Sequence, residues 1–315
     1  MARAKSDGEV ADWLAIDPLV AEKAVEAKLD GPSDALRARL ERDYRKEAEK
    51  IYAAPFDERG RELAFSALYQ KLFARLGYEG ILWSTLKSFP QLPERVAQVV
   101  VLPAHGEREE GADLSAVTGN EGRRAALRLR AERFAKDPSI RALLSFHWLQ
   151  LDDLASPAFG YGGQGLSGDL HPAEQRAVLE TYSLLWGLWT DARLTQRGLG
   201  LPGESERRKK TAETAFARNL REDDFFRSVL RGEALTHSAL LQAARDLRLH
   251  APARSEGLCS LCRFPSQTTQ NVPALPEGAA RAALLRDYPA LSGPVCAHCF
   301  ERYEFLAEGA MAPAA

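Results

Sequence analysis

Cys259-Ser-Leu-Cys262 and Cys296-Ala-His-Cys299 are the two stretches from which the rest of the chain is read. A Cys-x-x-Cys turn points two thiolates at one ion from a tight loop. Two such turns complete a tetrahedral four-thiolate shell, the usual form of a closed structural zinc site. The chain has four cysteines in all, and every one falls in these two turns. The residues therefore predict one structural Zn2+ held by Cys259, Cys262, Cys296 and Cys299. Four full protein ligands make a scaffold, because catalytic zinc keeps an open position. The rival reading is redox pairing within or between the turns. The spacer from Arg263 to Val295 has room for a loop (Pro265 to Pro276) and a short helix (Glu277 to Arg286), so the predicted module is zinc-ribbon-like.

Upstream of the quartet the hydrophobic period divides the chain. Residues 6–95 read as helices. Ser6 is a candidate cap for a helix carrying Val10, Trp13 and Leu14. Ser33 is a candidate cap for one through Leu36, Leu40, Tyr44 and Ile51, ended by Pro55. A third carries Leu63, Leu68, Leu72 and Leu76 and stops at Gly77. At Val96 the period changes. Val96–Leu102 is a β-branched run, Ala112–Val117 a second strand candidate, and Arg124–Arg130 a third with near alternation. The arginines of that third strand read as its solvated face rather than as a nucleic-acid stripe, since no aromatics interleave them. A helix is predicted over 138–155. A glycine-rich loop follows, in which Gly160, Gly162 and Gly165 match G-x-G-x-x-G without the preceding strand that a dinucleotide site needs. His171-Pro172-Ala-Glu174 reads as the start of a further helix, with Tyr182, Trp186 and Trp189 on one core-facing stripe. Helices are expected near 204–231 and 235–249.

Composition limits the function classes. Charged residues make up 27% and the net charge is −2, so nothing draws the whole chain to nucleic acid or anionic lipid. From 251 to 315, five arginines face six carboxylates, which places a nucleic-acid-binding ribbon last among the readings. Neither an apolar leader nor an 18-residue apolar run is present, so no signal peptide or membrane span is expected. Unpaired cysteines in metal spacing fit a reducing cytoplasm.

A zinc peptidase of the zincin type sets His-Glu-x-x-His on a helix beside a strand. The histidines here are 105, 147, 171, 237, 250 and 298, and no two are four apart. Three segments nevertheless carry a likeness: Ser156-Pro-Ala-Phe-Gly-Tyr161, Leu185-Trp-Gly-Leu-Trp-Thr-Asp-Ala-Arg-Leu194 and Cys259-Ser-Leu-Cys-Arg-Phe-Pro265. On these the run from Val96 to Cys299 resembles an uncharacterised bacterial family with a zincin-like helix and a C-terminal Cys-x-x-Cys ribbon. The resemblance puts Phe146, His147 and Gln150 where the family has His, Glu and His. It implies a degenerate motif and a pseudoenzyme. His147 reads first as a satisfied, partly buried histidine.

The expected fold class is α+β: mainly helical, with a small antiparallel, zincin-like sheet and a four-cysteine module. The expected domains are 1–95 (helical), 96–250 (sheet plus helices) and 251–315 (zinc-ribbon-like). The leading function is a non-catalytic zinc protein acting through a protein partner. One alternative is a metal-dependent hydrolase with a second metal at His147, Asp153 and Asp191. The other is the nucleic-acid-binding ribbon.

Overall fold

The computed structural model describes residues 13–115, 122–162, 170, 172–200, 202–216, 224–249, 259–262, 269–289 and 291–311. Its chain divides into two compact units, one from the described parts of 1–163 and 190–202, the other from those of 164–189 and 203–315.

The first unit opens with strand β1 (Leu14–Ile16), followed by helices α1 (Pro18–Leu29), α2 (Ala35–Ala53), α3 (Glu58–Arg75), α4 (Tyr78–Leu86) and the single turn α5 (Leu92–Arg95). Each of the first three helices starts on an aspartate. The Asp17 carboxylate accepts from the Leu19 N–H, Asp34 from Arg37 and Asp57 from Gly60. Such a cap satisfies an otherwise orphaned donor and contributes about 1 kcal/mol. The expected cap at Ser33 is thus displaced by one residue, since Asp34 has the carboxylate and the extended backbone a cap needs. Gly77 ends the third helix and opens the next with φ 77°, a left-handed conformation that glycine adopts without strain.

The sheet also contains β2 (Gln98–Pro103), β3 (Gly111–Leu114) and β4 (Arg124–Leu129). Its order is β1-β2-β4-β3. Strand β1 runs parallel to β2, β2 runs parallel to β4, and β3 alone is antiparallel, against β4. The sheet is therefore mixed, which corrects the expected antiparallel arrangement. The chain does not fold β2, β3 and β4 as a meander. Strand β4 inserts between the other two, so it takes the direction of β2. The near-continuous apolar run of β2 suits a central parallel strand, whereas β3, with Gly111 and Asp113, suits an edge.

The strand at Leu14–Ile16 also replaces the expected first helix at Leu14; Ser6 and Val10 lie outside the described residues. Trp13 beside it donates its indole N–H to the Val96 carbonyl at 2.7 Å, which anchors the strand to its neighbour. Along β4, Ala125, Leu127 and Leu129 are buried while Arg124 and Arg128 are exposed, so the alternation expected there is present.

After the short helix α6 (Arg133–Lys136), helix α7 (Ile140–Ala155) packs against β3 and α4. Its buried face carries Leu144, Trp148, Leu149 and Leu151, and the Trp148 indole donates to the Thr85 hydroxyl at 3.0 Å. A buried indole N–H needs such a partner.

Helix α8 (Pro172–Gln196) contributes its first part to the second unit and its last turns to the first. Tyr182 and Trp189 are buried, as the aromatic stripe predicts. The Tyr182 hydroxyl meets His237 Nδ1 at 2.8 Å, and Trp189 donates to the Glu233 carbonyl at 2.7 Å. Helices α9 (Pro202–Phe216), α10 (Asp224–Leu230) and α11 (His237–Leu249) follow. Of the expected helix near 204–231, Pro202–Phe216 and Asp224–Leu230 are helical, and 217–223 lie outside the described residues. The glycine-rich loop is described only through Gly162. Among the described residues no helix is long and apolar enough to cross a membrane.

Candidate metal centre

The C-terminal segment is built around strand β5 (Thr269–Asn271), helix α12 (Ala279–Asp287), strand β6 (Pro294–Cys296) and helix α13 (Ala297–Met311). Strands β5 and β6 pair antiparallel, with Thr269 opposite Cys296. Cys296 therefore ends a strand, and Cys299 sits one turn into the helix that follows. The turn carrying Cys259 and Cys262 is tied to β6 by a hydrogen bond from the Ser260 N–H to the Pro294 carbonyl at 2.6 Å. Gly293 permits this approach: a Cβ there would lie 2.0 Å from the Ser260 hydroxyl oxygen and 3.1 Å from its Cβ. Behind the cysteines a small core forms from Leu261, Val272, Leu275, Leu284, Val295 and Phe300.

These elements bring all four sulfurs within 4.8 Å of one another. The Cys262 and Cys296 sulfurs, one from each turn, are 3.9 Å apart. A tetrahedron with metal–sulfur bonds of ~2.3 Å has an edge of about 3.8 Å. The donor set and its spacing thus fit one ion. Cys259 and Cys296 are buried, Cys262 and Cys299 half-buried.

The electrostatics point the same way. Hydrogen bonds from the Cys262 and Cys299 side chains, together with the Cys262 and Cys296 backbone N–H groups, pull the Cys259 thiol well below its ordinary range. Cys299 goes the other way, held protonated by its hydrogen bonds to Cys259 and Cys262 and by burial. Four thiolates this close repel, so the last proton leaves readily when a cation balances the charge. His298 is exposed on the surface and is not in the cluster.

The other candidates behave differently. Among the described residues, the cysteine quartet is the group of three or more His, Cys, Asp or Glu side chains close enough to hold a metal. His147, Asp153 and Asp191 do not form one, although all three are buried. Phe146 is buried with its ring edge-on to the imidazole, and His147 Nδ1 lies 3.4 Å from the Gln150 side-chain oxygen. Asp153 is engaged by Arg193, whose guanidinium donates to both carboxylate oxygens at 2.7 and 2.5 Å. This forked pair places a positive charge on the carboxylate that a metal would need. Nearby, burial raises the Asp152 pKa, against the pull of Arg95, which donates to it at 2.8 Å.

Arg193 is a site residue that no sequence motif marks. It lies inside the quoted Leu185–Leu194 segment, yet nothing local ties it to Asp153.

No protein-family model matches the chain, and neither a curated protein nor a solved structure matches it. The likeness to a zincin-type family therefore rests on the quoted segments alone.

Proposed function

We propose that this chain is a non-catalytic zinc protein that acts through contacts with another protein. In this reading Cys259, Cys262, Cys296 and Cys299 hold one structural Zn2+, which organises a ribbon-like module over 251–315. The observation that carries it is the convergence of four sulfurs within 4.8 Å. An all-thiolate set suits zinc among the available divalent ions and leaves no position for substrate. The metal would supply folding energy, on the order of 10 kcal/mol in small zinc domains.

The core over 96–250 is, in the same reading, a peptidase-like layout without its chemistry. The packing of helix α7 against edge strand β3 is what supports this part of the reading. The helix offers Phe146, His147 and Gln150 where two imidazoles and a carboxylate would be needed, and Arg193 holds Asp153. The reading places the partner contact on the α2–α3 region, where Tyr52, Phe56 and Leu63 are 66%, 43% and 63% exposed. A reducing compartment such as the cytoplasm would keep the thiolates available.

Metal analysis of the purified chain tests this. One zinc per chain is expected, none in a Cys262→Ser/Cys299→Ser double variant, and no peptidase activity in either. A full equivalent surviving that double variant would overturn the reading.

A further inference from the structure

We propose that the quartet is also a redox-controlled clasp, in which a peroxide-class oxidant drives a disulfide between Cys262 and Cys296 and empties the metal site. This deepens the zinc reading and rests on it.

The choice of pair follows from position. Cys259 is fully buried, so a small oxidant meets it last. Cys262 is half-buried and is the reachable sulfur of the first turn. Its sulfur lies 3.9 Å from that of Cys296, across a sequence separation of 34. The chain holds no cysteine outside the quartet, so within one molecule every resolving thiol must come from it.

The chemistry balances with peroxide as electron acceptor. The Cys262 thiolate attacks one peroxide oxygen. The O–O bond breaks, the sulfur becomes a sulfenic acid, and hydroxide leaves. The Cys296 thiolate then attacks the sulfenic sulfur, forms the S–S bond and displaces a second hydroxide. Two thiolates lose two electrons, and with two protons the peroxide becomes two waters. The sulfurs must close by roughly 2 Å to reach bonding distance. That withdraws two of the four donors, one from each turn, and the remaining two cannot complete a tetrahedral shell.

Loss of the metal has a structural consequence because the core behind it is small. Its buried apolar side chains are Leu261, Val272, Leu275, Leu284, Val295 and Phe300. A core of this size holds its shape poorly without a cross-link or an ion. The disulfide restores one link, but between elements that the metal held differently. Oxidation would thus alter the face the module presents to a partner, and a dithiol reductant with Zn2+ would restore it.

The test uses the full-length, zinc-loaded protein with hydrogen peroxide as the probe. Zinc release is followed with a chromogenic chelator, and disulfides are mapped by mass spectrometry of unreduced peptides. Release of one zinc with Cys262–Cys296 as the first linked pair is expected, reversed by dithiothreitol and Zn2+. A Cys262→His variant keeps a zinc donor while removing the cross-turn partner, and it should release zinc at least tenfold more slowly. Should that variant lose zinc during preparation, the disulfide map of the wild type decides alone. A first disulfide within one turn, or over-oxidation without a disulfide, overturns the clasp while leaving the zinc reading intact. Protein isolated without zinc, and unable to take it up, overturns the zinc reading itself.

Discussion

Replacing Arg193 with methionine isolates its buried contact with Asp153. The guanidinium and the Asp153 carboxylate are 15% and 7% exposed, and they share two parallel hydrogen bonds. Methionine keeps much of the apolar stem but leaves the carboxylate in a low-dielectric pocket without its countercharge. Breaking one side of such a buried pair costs about 3–5 kcal/mol. Asp153 lies near the C-terminal end of α7, so the loss should appear in that helix. Hydrogen exchange of peptides from 140–155 would show amide protection falling about 100-fold or more, since each 1.4 kcal/mol is a factor of ten. An Asp153→Leu/Arg193→Met variant should recover most of this, because an apolar pair of similar volume removes the stranded charge. Neither variant should gain a zinc equivalent. A fall under tenfold in Arg193→Met, or a double variant as damaged as the single one, would refute the reasoning. A gained zinc would show that Asp153 had been a ligand blocked by the arginine.

At the knuckle, Gly293→Val should weaken zinc retention against a competing chelator by about tenfold, since crowding a packed site costs about 1–3 kcal/mol. Ser260→Gly in the same background should recover it, because Ser260 is the atom group the new side chain meets. Chelation of the metal should strip amide protection from 269–311 and leave 98–155 unchanged, a contrast readable by hydrogen exchange. Tyr78 is buried edge-on to Phe73 and near Phe134, and burial, with a lesser contribution from Asp34, raises its pKa to about 12. A folded pKa above the unfolded ~10 means its contribution is complete below pH 10 and lost as pH rises from there through 12. Tyr78→Phe should therefore lose less stability than the wild type over that window in alkaline urea titrations. Gly77→Ala should cost about 1 kcal/mol by the same measure, because φ of 77° puts a Cβ against the following carbonyl.

The cysteine cluster was legible in the sequence because its chemistry is nearly local. Two Cys-x-x-Cys turns each preset half of a ligand shell, and with no other cysteine present the halves can only meet each other. Helix α7 and strands β2 and β4 were legible for a related reason: a residue's face follows from the 3.6- or 2-residue period of its own backbone. Three features were decided by tertiary structure. Leu14–Ile16 is too short to display a period, and it is a strand because Val99 and Val101 offer it a parallel edge. The mixed order β1-β2-β4-β3 depends on which strands can be buried on both sides, and that is a property of the assembled layer. The Asp153–Arg193 pair joins positions 40 apart on two helices, so no window along the chain contains both. Side-chain period is set by the local backbone, whereas partners are chosen by what burial leaves within reach.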